Sequence, residues 1–296
     1  MAIQQQIKDR IKKLKERYDA LKIGKDGLLK LLEEAEVAES VYNSNAIENS
    51  TLTLRETERI LMELEVAREI SVREIFEAKN LARVVEYIRE KAKAADIGKE
   101  IILFLHKMLI TAIRDEIAGR FRTTGEYVRV GTYVAPAPEH VERMIEAVVA
   151  EYNSDHESYF IEKIARFHLE FENTHPFNDG NGRIGRVFIN WQLIRLGFPP
   201  IIVRNKEKSD YYDSFTIYRD KKNLKSMAKI IALGLIESLH KRITYLEGVP
   251  IIKLSEFAKT HQKTISALAN AARRQTIPAF REKGVWKISQ DVIIEK

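Results

Sequence analysis

The sequence predicts an all-α protein with one small β-hairpin and a small C-terminal module. Three observations carry this. Apolar residues recur at helical spacing through most of the first 245 positions. No strand–helix rhythm repeats. The one β-like run before the tail, Tyr127, Val128 and Val130, sits between Gly125 and Gly131. The chain has 296 residues, a length whose prior is about two domains, and 45% hydrophobic residues, enough for a sizeable core.

Residues 2–22 read as a charged helix with Ile3, Ile7, Ile11, Leu14, Tyr18 and Leu21 on one face. Gly24 and Gly27 break it. Further helical patterns run over 28–43, 53–66 and 70–94, and their apolar stripes are read as core. Ile101 to Ile113 is a strongly apolar helix. The texture then changes from Gly119 to Val134, where a hairpin is expected over Gly119 to Thr132, and Ala135-Pro136-Ala137-Pro138 ends it. Helices resume over 139–153, 158–173, 182–196, 207–220 and 224–245. Gly248-Val249-Pro250 is a boundary. Beyond it come a short helix capped by Ser255, a second from Lys263 to Arg274, and two short β runs, Ile277 to Phe280 and Val285 to Ile288. Together they make a winged helix-turn-helix pattern. The expected division is 1–95, an N-terminal helical region; 96–246, the core; and 250–296, the tail module. No internal repeat or low-complexity segment is evident.

Composition narrows the function classes. There is no cysteine, so disulfides and thiolate chemistry are excluded. No apolar run approaches a membrane span, and the N-terminus has no signal core, so a soluble cytoplasmic protein with no membrane partner is expected. The net charge is +6. Residues 249–296 carry nine lysines and arginines against four acids, so the tail holds +5 of it. An anionic partner would be sought there. His106 and His168 lie on apolar helices and are read as core residues. His140, His156, His240 and His261 lack metal-ligand spacing, so no zinc site is expected.

The chemistry concentrates in His175-Pro176-Phe177-Asn178-Asp179-Gly180-Asn181-Gly182-Arg183-Ile184-Gly185-Arg186. Gly180-Asn181-Gly182 opens a helix, whose free N–H groups and dipole make an anion site. Arg183 and Arg186 add charge suited to phosphate. Asp179 beside polyphosphate is a natural Mg²⁺ ligand. His175 can take a hydroxyl proton near neutral pH. A base, a metal and a phosphate cradle describe phosphoryl or nucleotidyl transfer to a hydroxyl. Gly180 to Gly185 also satisfies GxGxxG, but a helix precedes it rather than a strand, so the dinucleotide reading is rejected.

This stretch resembles the signature of Fic-domain proteins, HPFx[D/E]GNGRxxR, at every defined position, and the resemblance extends over about residues 40–245. It implies a Fic-type helical core with a β-hairpin flap, and transfer of AMP from ATP to a Ser, Thr or Tyr hydroxyl of a target protein. In that reading His175 is the base, Asp179 holds Mg²⁺, and Gly180, Asn181 and Gly182 contact the nucleotide phosphates. Arg183 stabilises phosphate charge, and Arg186 pairs with the γ-phosphate. Pro176 and Phe177 fix the loop. The flap, with Thr123, Thr124, Gly125, Tyr127 and Val128, would dock the target by strand addition. Tyr211-Tyr212 resembles the family's adenine-side aromatic pair, with Tyr212 at the nucleotide; where some members place an Asn, this chain has Arg219.

Ser44-Asn45-Ala46-Ile47-Glu48-Asn49 resembles the family's inhibitory motif, [S/T]xxxE[G/N]. It implies that Glu48 pairs with Arg186 and blocks productive phosphate placement, with Ser44 on the same helix face. The leading expectation is therefore an auto-inhibited protein adenylyltransferase using ATP and Mg²⁺, the chain itself being one candidate target and a homodimer one candidate arrangement. Two alternatives stand beside it. One is a DNA-binding regulator acting through Lys263, Arg273, Arg274, Arg281, Lys283 and Lys287 of the tail. The other is removal of AMP from a modified protein at the same site.

Overall fold

A computed structural model describes residues 2–293. Five helices come first: α1 (Gln5–Leu21), α2 (Asp26–Ile47), α3 (Leu54–Leu61), α4 (Val72–Lys91) and α5 (Lys99–Ile110). A two-stranded hairpin follows, β1 (Arg129–Val130) and β2 (Tyr133–Val134). Next are α6 (Pro138–Ser154), α7 (Phe160–Thr174), α8 (Asn181–Arg195), α9 (Lys208–Lys221) and α10 (Lys225–Glu247). The tail forms β3 (Ile251–Lys253), α11 (Leu254–Thr260), α12 (Ile265–Arg273), β4 (Phe280–Glu282) and β5 (Val285–Ser289). The chain is mostly helical, as the apolar periodicity predicts.

Local chemistry starts and stops these elements. Thr53 and Glu56 form a reciprocal capping box on α3, and the Ser71 hydroxyl accepts the Glu74 amide at the start of α4. Pro138 stands in the first turn of α6, where its missing N–H costs nothing. Gly248 closes α10 in the left-handed conformation. No helix among the described residues is long and apolar enough to cross a membrane.

α7 and α8 are the centre of the molecule. One face of each, with Ile161, Ile164, Leu169, Ile189 and Leu193, joins an apolar cluster shared with α1, α2, α9 and α10. The opposite faces, with Phe167, Phe171, Phe188 and Trp191, join a second cluster shared with α4, α5 and α6. Almost every side chain of α8 is therefore buried, as expected for a helix covered all round. The two helices meet at the 175–180 loop, which is thus held from both sides.

Three details differ from the sequence reading. The paired strands lie at 129–134, with Arg129 opposite Val134 and Val130 opposite Tyr133. The turn is Gly131-Thr132, so the second arm lies beyond the expected end at Thr132. Glycines earlier in the stretch serve an irregular stem instead. The tail sheet has three strands in the order β3-β5-β4, because Ile251 to Lys253 pairs with Lys287 to Ser289. α11 is capped by Lys253, with no side-chain cap from Ser255.

The tail module has its own small core of Leu254, Phe257, Leu268, Ala272 and Ile288. It is nonetheless tied to the rest. Arg281 binds Glu237 and Glu207, each at 2.6 Å. Gln275 meets the His240 ring at 2.9 Å and accepts Arg10 through its backbone oxygen. The β4–β5 turn reaches α2, where the Lys283 and Gly284 amides donate to the buried Glu39 carboxylate at 3.0 and 3.2 Å. Arg204 completes the shell of Glu39. Removing that carboxylate would leave Arg204 Nη1 and two amides without their acceptor, with only Arg204 Nη2 still held by Glu237. Glu39→Ala is expected to lower stability by about 3 kcal/mol. Chemical denaturation checks this, and an unchanged midpoint would contradict it.

Candidate active site

α7 ends because His175 turns left-handed, with φ 46°. A β-branched or bulky residue is strained there, and such strain persists only where surroundings over-determine it. Gly180, with φ 83°, caps α8. A β-carbon at Gly180 would also crowd Leu109 and Ile110 at 3.1 and 3.2 Å. Between these two turns Asn181 closes the loop on itself. Its Oδ1 accepts the Phe177 amide at 2.9 Å, and its NH₂ donates to the Phe177 carbonyl at 2.8 Å. The sequence reading directed Asn181 at phosphates; its side chain is instead buried against its own loop.

Phe177 is fully buried and lies flat on the His106 ring, 3.6 Å between centroids. His106 Nδ1 accepts the Gly119 amide at 3.1 Å, so Nε2 carries the proton and donates to the Asp179 carbonyl at 3.0 Å. Burial pushes this imidazole down to about 4, which keeps it neutral in that tautomer. His106 therefore joins the loop to the base of the flap.

Two charge clusters flank the start of α8. In the first, Asp179 accepts Arg183 at 3.0 Å and Arg73 at 2.6 Å, and Glu77 of α4 meets both arginines. Burial would raise the Asp179 carboxyl, but Arg183 and Arg73 win and hold it below the usual range. In the second, Arg186 Nη2 donates to Glu48 Oε1 at 2.8 Å and to the Ser44 carbonyl at 2.9 Å. Its Nε donates to Ser44 Oγ at 3.0 Å. Arg186 is 6% exposed, and the Tyr211 hydroxyl stands at 3.5 Å. Ser44 lies in the last turn of α2 and Glu48 is its C-cap, so one helix end supplies the whole set.

Gly182 makes this approach possible. A β-carbon there would overlap Glu48 Oε1 and press on Arg186. The Glu48 carboxylate thus lies over the first turn of α8, whose leading amides have no acceptor one turn earlier. Glu172 of α7 lies behind the same spot. Its buried Oε1 has no hydrogen-bond partner, and burial first and Glu48 second push the carboxyl up to about 8. Glu172 is therefore pushed toward its protonated form beside the Arg186 pocket.

The His175 imidazole is pushed down to about 4, by burial first and by the Arg122 guanidinium second; the Glu172 backbone, Glu48 and Asp179 oppose them. It is a neutral base at physiological pH. Beside it stands the irregular stem of the hairpin. Thr123, Thr124, Gly125 and Tyr127 are exposed and Val128 is half-buried. Glu126 fastens the stem by accepting the Thr123 amide at 2.6 Å and pairing with Arg120 at 2.7 Å. At the other side Tyr133 donates to the Asn173 carbonyl at 2.7 Å, with Arg219 over its ring at 4.6 Å.

His175, Asp179, Gly180, Gly182, Arg183, Arg186, Ser44 and Glu48 thus converge on one end of α8. Tyr212 is half-exposed at its edge, and its hydroxyl donates to the Ile47 carbonyl at the end of α2. Tyr211 is a core residue sharing a 2.8 Å hydrogen bond with His168 Nε2. Arg73, Glu77, Arg122 and Glu172 belong to the site and were not singled out in the sequence. For Arg73, Glu77 and Glu172 the one signal is a charged residue within an apolar-striped helix, which many positions share; Arg122 lies in the non-helical stem and lacks even that. In the tail, Arg281, Lys283 and Lys287 pair with acids, and Lys263, Arg273 and Arg274 remain exposed. Half of the cations proposed for DNA phosphates are therefore engaged within the protein.

Residues 96–193 match the Fic/DOC family. Protein adenylyltransferase Fic of Nematostella vectensis is 31% identical over 215 residues, covering 71% of this chain and 50% of that protein. Protein adenylyltransferase Fic of Drosophila melanogaster is 27% identical over 285 residues, covering 93% of this chain and 57% of that protein. The chain spans about half the length of these curated relatives. Among solved structures, a Fic domain containing signaling protein from Bacteroides thetaiotaomicron superposes with a TM-score of 0.74 at 25% identity, over 81% of this chain and 97% of that one. A Fic family protein from Desulfovibrio desulfuricans shares the fold, with a TM-score of 0.67 at 18% identity over 99% of this chain and 98% of that one. The loop described above lies inside the matched span, and the chain is a Fic-domain protein.

Proposed function

We propose that this chain is a protein adenylyltransferase whose resting state is held inactive by Glu48. The observation that carries the reading is the hold on Arg186. One carboxylate occupies the guanidinium at the anion-binding end of α8, a few residues from a neutral imidazole. The names of the curated relatives support the reaction class.

In the transfer step a target hydroxyl oxygen attacks the α-phosphorus of ATP. The new O–P bond forms as the bond from that phosphorus to the bridging oxygen breaks, and pyrophosphate leaves. His175 takes the hydroxyl proton. The α8 amides and Arg183 bind phosphate oxygens, and Arg186 takes the γ-phosphate once Glu48 withdraws. The flap residues Thr123 to Val128 align the target backbone, and Tyr212 borders the base. Asn181 contributes by fixing the loop.

Asp179 fits a bound Mg²⁺. It is ionised, partly exposed, and beside the phosphate site. Among the described residues no group of three or more His, Asp or Glu could hold a metal alone, but Mg²⁺ takes one or two carboxylates and completes its shell with phosphates and water. When bound it would neutralise phosphate charge. Arg73 and Arg183 would then share or yield Asp179.

Three outcomes are expected. Glu48→Gly raises nucleotide transfer from ATP by about tenfold or more, the equivalent of about 1.4 kcal/mol of regained phosphate contact. Intact-mass spectrometry after incubation with ATP and Mg²⁺ measures it, and no gain over the native chain would refute the brake. In that background His175→Ala still binds ATP but loses about 10²–10⁴-fold in rate; undiminished transfer would remove His175 as base. Because the imidazole titrates low, falling pH protonates it only near 4, so His175 should cause no fall in kcat/KM between about pH 7 and about pH 5. A fall centred at the ordinary histidine value of about 6.5 would contradict this.

A further inference from the structure

Arg122 has a set of partners that the transfer reading leaves unused. It is 2% exposed, and among the described residues no carboxylate lies within ion-pair distance of it. A buried guanidinium without a counter-charge is costly unless its donors are met. Here they are met by backbone carbonyls alone. Nε donates to the His175 carbonyl at 2.8 Å, and Nη2 to those of Thr174 at 3.3 Å and Pro136 at 2.9 Å. Nη1 donates to the Glu126 carbonyl at 3.0 Å. The Arg122 amide adds a bond to the Pro176 carbonyl at 3.0 Å.

These acceptors fall into two groups. Thr174, His175 and Pro176 form the C-terminal end of α7 and the left-handed turn that aims the imidazole. Glu126 and Pro136 are the two stems of the hairpin. The cation also lies at the negative end of the α7 dipole, which offsets part of its burial. The Tyr133–Asn173 bond ties the far edge of the flap but does not reach the His175 backbone.

We propose that Arg122 is a positioning residue that registers the flap against the His175 loop, so that a docked target hydroxyl and the base are aligned by one side chain. This rests on the transferase reading. Arg122 itself touches neither nucleotide nor target. Its planar fork is essential: a lysine would keep the charge but could not span both stems and the loop at once. A misalignment of about 1 Å costs around a hundredfold in rate.

The test uses the full chain with Glu48→Gly, and Arg122→Lys and Arg122→Met added separately. Hydrogen–deuterium exchange is read over residues 123–136 and 174–178, with α10 as internal control. Self-modification with ATP and Mg²⁺, and ATP affinity by calorimetry, are read in parallel. Both variants should exchange faster in the two segments and normally in α10. Self-modification should fall by about tenfold or more, with ATP affinity within about twofold of the parent. Unchanged exchange in the flap and loop overturns the proposal, as does a loss of ATP binding that parallels the loss of transfer. If the Glu48→Gly parent transfers no nucleotide, the transferase reading fails, and the exchange arm still decides the role of Arg122.

Discussion

Arg186 is buried beside the mouth of an anion site, and the charge it carries must be answered there. In the structure Glu48 answers it, with the Ser44 hydroxyl and carbonyl meeting Nε and Nη2 and the Tyr211 hydroxyl standing by Nη1. A polyphosphate would supply the same charge and the same oxygen acceptors. The two cannot share the guanidinium without placing two anions within a few ångströms. The state of Glu172 points the same way, since Glu48 helps keep that neighbouring carboxyl protonated. In the structure the anion at that guanidinium is Glu48.

The rest of the fold serves to hold that choice in place. α7 and α8 are packed on both sides, so the loop between them has little freedom. Asn181, Phe177 and His106 fasten it from within. α2 brings Ser44 and Glu48 to Arg186, and the same helix is gripped by Arg242 and Lys241 at Glu36, and by Arg204 and the tail hairpin at Glu39. The distance from Glu39 to Glu48 is nine residues, about 13 Å along a helix. The tail module therefore touches the helix whose end carries Glu48.

Much of this was legible in the sequence. Helical periodicity located the long helices because each buries a continuous apolar stripe, and the glycine-bearing loop announced itself by packing unlike chemistries into twelve residues. Ser44 and Glu48 were legible through their spacing and resemblance. What escaped was set by tertiary contact. Nothing local tells Arg122 from any other basic residue of the hairpin, and Glu172 differs from Glu170 only in the direction it faces. The direction of Asn181 depends on a bond to a residue four positions earlier. The third tail strand is three residues long, and pairing rather than propensity makes it a strand.

The central claim is that Glu48 stands where the terminal phosphate must go. Calorimetric affinities of ATP and ADP, each with Mg²⁺, for the native chain and for Glu48→Gly test it most directly. If the claim holds, the native chain binds the two nucleotides about equally, and the variant prefers ATP, because only ATP carries the phosphate that Arg186 has been freed to receive. The same preference in both proteins would contradict it.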